Sequence, residues 1–116
     1  MIYLNFACKV VPLDKIMRCS FGLNKTEIAI MMYLVKMNKD MTVENIMKGI
    51  SKDKTTIQRA VKSLSNKELV QRHQINLEKG GYVFVYKGAS KNYIKERIQK
   101  NFEAFRDAIG REIEKW

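Results

Sequence analysis

Residues 69–88 read LVQRHQINLEKGGYVFVYKG, two runs rich in β-branched and aromatic residues separated by EKGG. The second run alternates Tyr82, Phe84 and Tyr86 against Val83 and Val85, which is the period of a strand. Gly80 and Gly81 can supply the positive backbone angles of a tight turn, so the segment predicts a β-hairpin. The text before it has a helical period. The chain is therefore limited to helices first, then one hairpin, then whatever follows.

Helix starts and stops divide the rest. Pro12 suits the first turn of a short helix with Leu13, Ile16 and Met17 on one face, ended by Gly22. Asn24 is placed to cap a second helix, with Glu27 at its third position and Leu23 and Ile28 at staple spacing. That helix runs to about Met37, with Ile28, Met31, Met32, Leu34 and Val35 as its apolar stripe. Thr42 starts a short helix, VENIMKG, flanked by Met41 and Ile46 at staple spacing and closed by Gly49. Asp53 is placed to cap a helix over 54–66, and the ISKD connection before it is near helix-turn-helix length. After the hairpin, Ser90 starts a long helix reaching Trp116, roughly 40 Å at 1.5 Å per residue.

This order predicts an α+β, mostly α fold, a winged helix-turn-helix over 21–88. An N-terminal arm and short helix occupy 1–20, and a long C-terminal dimerisation helix occupies 89–116. At 116 residues there is material for one modest core.

Charge narrows the function. The chain has 22 Lys and Arg against 12 Asp and Glu, a net charge of +10, which favours a polyanion such as nucleic acid. Within 54–66, Ile57, Ala60, Val61 and Leu64 form a narrow apolar arc at about 100° per residue. Opposite lie Thr55, Arg59, Lys62 and Asn66, with Gln58 at the margin and no acid among them. A solvated face would mix Glu with Lys as i,i+4 pairs. Arg can bond bidentately to guanine and Gln to adenine, and Thr can touch a base edge or a thymine methyl. Lys52 and Lys54 suit phosphate contacts. The predicted DNA-contacting set is therefore Lys52, Lys54, Thr55, Thr56, Gln58, Arg59 and Lys62. The hairpin adds Arg72 on its first strand and Lys79 in its 78–81 turn, a wing for the backbone or the minor groove.

The stretch DKTTIQRAVKSLSNKELV, within FGLNKTEIAIMMYLVK through GGYVFVYKG, resembles the winged-helix domain of archaeal TrmB-like and MarR-like transcriptional regulators. The likeness covers about residues 21–88. It implies double-stranded DNA as partner, a homodimer and control of transcription, with the helix holding Thr55, Gln58 and Arg59 as the reader. Glu68 stands where a glycine is usual before Leu69 and Val70, so the turn into the strand is expected to differ. No sugar-binding domain of the larger TrmB type follows, so sensing of that kind is not expected, and no small-molecule effector is specified.

The last helix carries Ile94, Ile98, Phe102, Phe105, Ile109, Ile113 and Trp116, a stripe of mean period about 3.67. One small core cannot cover a stripe of this length, so a dimer interface is predicted, shared with the apolar N-terminal arm. The alternative is that this helix folds back on the first two. Cys8 and Cys19 lack CxxC spacing and are expected to pack as small hydrophobes in the cytosol, with thiol sensing the weaker reading. His73 is the single histidine, which leaves no multi-histidine metal site or Ser-His-Asp triad; no enzyme, cofactor or metal is expected. The opening MIYLNFACKVVP is too short to span a bilayer, and no membrane association is expected. Two other functions remain compatible: an architectural DNA-coating protein with little base preference, and a winged helix used as a protein-interaction module.

Overall fold

The computed structural model describes residues 3–7 and 9–116. In chain order the elements are β1 (Tyr3–Phe6), β2 (Lys9–Pro12), α1 (Leu13–Phe21), α2 (Lys25–Met37), α3 (Val43–Gly49), α4 (Lys54–Asn66), β3 (Val70–Asn76), β4 (Tyr82–Gly88) and α5 (Lys91–Glu114). Each strand pair is an antiparallel hairpin. The chain forms two compact units, one over Asn24–Ser90 and one built from the two chain ends.

The central unit is the winged helix. Its helices begin where the capping residues stand. The Glu27 N–H donates to Asn24 Oδ1 at 2.8 Å, and the Asn24 N–H donates to Glu27 Oε1 at 3.0 Å, a reciprocal box that satisfies two orphan donors. Thr42 and Asn45 do the same at the start of α3, each bond 3.1 Å, with the shorter Asn in the place usually taken by Glu or Gln. Ile30, Met31, Leu34, Ile46, Ile57, Val61, Leu64 and Leu69 are fully buried, each contributing about 1.5–3 kcal/mol relative to exposure. The α2 stripe differs from expectation. Ile30 is buried, Met32 is exposed and Val35 is half-buried. α2 packs against both α4 and β4, and this rotates its covered arc toward Ile30.

β3 and β4 pair from Val70 with Gly88 to Asn76 with Tyr82. Gly80 (φ +93°) and Gly81 (φ +80°) close the turn, and the Leu77 N–H donates to Gly81 O at 3.0 Å. At the other end Met41 forms a single antiparallel bridge to β4, exchanging backbone bonds with Tyr86 at 2.8 and 2.9 Å. Val85 and Tyr86 are consequently both buried, so the alternation read from the sequence stops at the base of the wing. Glu68 takes the left-handed conformation at φ +61°. The turn usual for a glycine is thus kept, with Glu carrying its geometry, and the expectation of a different turn is corrected.

Gly88 is the closest approach of sheet to helix. A Cβ there would lie 2.7 Å from Val35 N and 2.8 Å from Leu34 C, backbone atoms of α2 that cannot swing away. Gly88→Ala is expected to destabilise the protein by about 1–2 kcal/mol, read as a lower urea midpoint with unchanged slope. An unchanged midpoint would mean that the hairpin base can lift off α2 freely.

In the unit of the chain ends, α1 ends at Gly22 in the left-handed conformation (φ +67°). Asn101 Nδ2 donates to Ser20 O at 3.1 Å and to Ser20 Oγ at 3.0 Å, fastening α5 to α1. The Arg97 guanidinium lies 5.3 Å from the Phe21 ring centre. The N-terminal arm is a hairpin, which the sequence did not reveal, and Tyr3, Leu4, Phe6 and Val10 on it are exposed instead of packed. Cys19 is exposed on α1, which corrects its expected burial; Cys8 falls outside the described residues.

Candidate nucleic-acid interface

α4 is seated by the four apolar residues its period predicts: Ile57, Ala60, Val61 and Leu64 are all buried. Its outward side follows from that seating. Thr55, Gln58, Arg59 and Lys62 are exposed, as are Lys52 and Lys54 at its start. Thr56 is half-buried, and its hydroxyl donates to the Asp53 carboxylate. Asp53 stands at the N-cap position with extended backbone, but this bond to Thr56 replaces the expected side-chain bond to the backbone. The Thr56 hydroxyl holds the Asp53 carboxyl below its usual range, with a smaller contribution from the nearby Arg59 charge.

Lys54 has a partner that the sequence did not suggest. Its Nζ lies 3.8 Å from Glu44 Oε1 on α3, with both side chains well exposed. Such a pair is worth about 0–1 kcal/mol, so exchanging it for a phosphate costs little.

Thr56 and Arg59 also share the lining of a polar cavity of about 320 Å³ with Asn24, Thr26, Glu27 and Ala60. Thr26 is therefore brought to the same surface as α4, a neighbour the sequence could signal only through the capping box that fixes the start of α2. Glu27, beneath, is buried. Burial alone would raise its pKa, but bonds from the Ser63 hydroxyl and the Asn24 N–H, with the Lys67 charge, hold it below the ordinary glutamate value. A depressed folded-state pKa stabilises above the unfolded value, about 4.3, and the contribution disappears as pH falls through the folded one. Glu27→Gln can retain the capping bonds without titrating. Wild type should therefore lose stability relative to this variant as pH falls below about 4, seen in urea midpoints from pH 6 to 3. Parallel midpoint curves would show that ionised Glu27 contributes nothing.

On the wing, Lys79 is exposed in the turn. Arg72 is exposed too, but its guanidinium stacks 4.4 Å from the Phe84 ring centre. The α5 set divides in two. Ile94 is buried and Ile98 half-buried, whereas Phe102, Phe105, Ile109, Ile113 and Trp116 are exposed. Phe105, Ala108, Ile109, Ile113 and Trp116, with Glu112, line a largely apolar groove of about 380 Å³. No helix among the described residues is long and apolar enough to cross a membrane.

Comparison with known proteins agrees with this architecture. Residues 17–94 match the family described as sugar-specific transcriptional regulator TrmB. A possible transcriptional regulator from Methanosarcina mazei Go1 is 34% identical, with a TM-score of 0.90 over 99% of this chain and 97% of that one. An uncharacterised protein of Methanocaldococcus jannaschii is 32% identical over 102 residues, 88% of this chain and 76% of that protein. At the level of fold alone, a mutant of S. aureus MepR bound to an oligodeoxyribonucleotide aligns with a TM-score of 0.58 and 13% identity, covering 84% of this chain and 70% of that one. With the family matched across the winged helix and an archaeal regulator matched along nearly the whole chain, this protein belongs to the TrmB family of winged-helix transcriptional regulators.

Proposed function

We propose that the protein is a homodimeric regulator that lays α4 in the major groove of double-stranded DNA. Thr55, Gln58, Arg59 and Lys62 face the base edges, with Thr56 beside them. Lys52 and Lys54 hold phosphates, Lys54 exchanging Glu44 for one. The 78–81 wing, carrying Lys79 with Arg72 behind it, reaches the backbone or the minor groove. A second copy pairs through the exposed part of α5.

The observation that carries this reading is the division of α4. Four apolar side chains are buried against the core, while the outward positions are exposed and hold cations and hydrogen-bonding groups without an acid. Family membership, the net charge of +10 and the oligodeoxyribonucleotide bound by a protein of similar fold support it.

Selection from a random duplex pool, followed by titration of a selected and a scrambled site, tests it. A regulator should prefer the selected duplex by about 10³–10⁷. A much smaller preference with steep salt dependence would favour an architectural protein. Failure to bind any duplex at low salt would leave the winged helix as a protein-interaction module.

A further inference from the structure

The tip of the β3–β4 hairpin exposes more apolar surface than a solvated turn requires. Ile75 is 44% exposed, Leu77 50% and Tyr82 58%. Register distributes them over both faces of the ribbon. Ile75 pairs with Val83, and Leu77 follows it on the same face by alternation, whereas Tyr82 pairs with Asn76 on the other face.

The tip is also shaped in advance. The Leu77 N–H donates to Gly81 O at 3.0 Å, and the Gly80 N–H donates to Leu77 O at 3.1 Å. Tyr82 meets Phe84 edge-on at 5.4 Å, and Arg72 covers the Phe84 ring. Residues 77–81 carry one acid, Glu78, and one base, Lys79, so the tip itself has no net charge. Positive charge without a neighbouring acid in sequence lies further back, on Arg72 and Lys87.

We propose that this tip is an apolar wedge that enters the minor groove next to the α4 site and partly unstacks a base step, bending the duplex. The proposal rests on the reading of α4 as the DNA-contacting helix and adds a second mode of recognition to it. A neutral apolar edge suits the sugar walls and base floor of the groove, and the cations behind it suit the phosphates along its rims. Side chains wedged between base steps kink DNA by about 20–90°. Pyrimidine–purine steps deform most easily, so TA or CA/TG would be preferred at a position where no side chain bonds a base.

The test uses the full chain on a selected duplex, with 2-aminopurine stepped across the site and a dye at each end. Wild type should brighten 2-aminopurine at one step per half-site and bring the dyes closer. Leu77→Ser combined with Tyr82→Ser should abolish both signals and weaken binding about tenfold. The salt slope should stay unchanged, because no phosphate contact is lost. Tyr82→Phe should retain both signals, and thermal unfolding checks that the tip variants remain folded. The wedge is overturned if wild type binds without either signal, which would leave the tip free for a protein partner. It is equally overturned if the double serine variant bends and brightens the DNA as wild type does. Absence of binding to every duplex would defeat the α4 reading itself, a distinguishable failure.

Discussion

Phe105→Asp is expected to leave the protein monomeric where the proposed α5 pairing makes wild type a dimer, and to lower DNA affinity by about 10²–10⁴, the avidity lost when two half-sites uncouple. Phe105 is 60% exposed and Ile113 62%, and Trp116 beyond the helix end is fully open. Covering such side chains is worth roughly 1.5–3 kcal/mol each, and an aspartate in the groove they line would have to shed its water without a partner. The fold should survive. Ile94 stays buried, and the Asn101–Ser20 bonds still fasten α5 to α1. Circular dichroism should therefore be unchanged while light scattering at micromolar concentration reports half the mass, and Phe105→Leu should remain dimeric. A monomeric wild type at that concentration would remove the dimer from the proposal.

The behaviour of α5 shows where sequence reading ends. Its stripe was legible as a period, but period alone does not say which part the chain covers itself. Up to Asn101 the helix packs on α1, one of the two helices named by the fold-back alternative; beyond it every residue but Ala108 is exposed. The bounds of α4, its apolar arc and its polar side were legible because all are local properties, whereas the bond by which Asp53 holds Thr56 was not. The N-terminal hairpin was not. Its turn uses Ala7 at φ +51°, a conformation with no glycine or asparagine to announce it, and Tyr3, Leu4, Phe6, Val10 and Val11 show no clean alternation. Glu68 at φ +61° conceals a turn in the same way. The Lys54–Glu44 pair and the aromatic platform under Arg72 join residues on different elements. Such contacts depend on packing, and spacing in the text carries no trace of them.

Arg59→Ala should cost about 1–3 kcal/mol on the selected site and relax preference at one position per half-site, as for a lost bidentate base contact. Arg59 is exposed on α4 one residue before buried Ala60, so truncation removes a reaching side chain without disturbing the seat of the helix. A symmetric dimer places two such helices on one side of the duplex. The preferred site should then be a pseudopalindrome with half-sites about one turn, roughly 34 Å, apart. Lys54→Ala and Lys79→Ala supply the contrast. Any that is a phosphate contact should weaken selected and scrambled duplexes alike and change the log–log salt slope by about 0.9. If Arg59→Ala behaves in this second way, Arg59 grips the backbone and the architectural reading gains. If Arg59→Ala alters neither affinity nor preference, the outward side of α4 faces water.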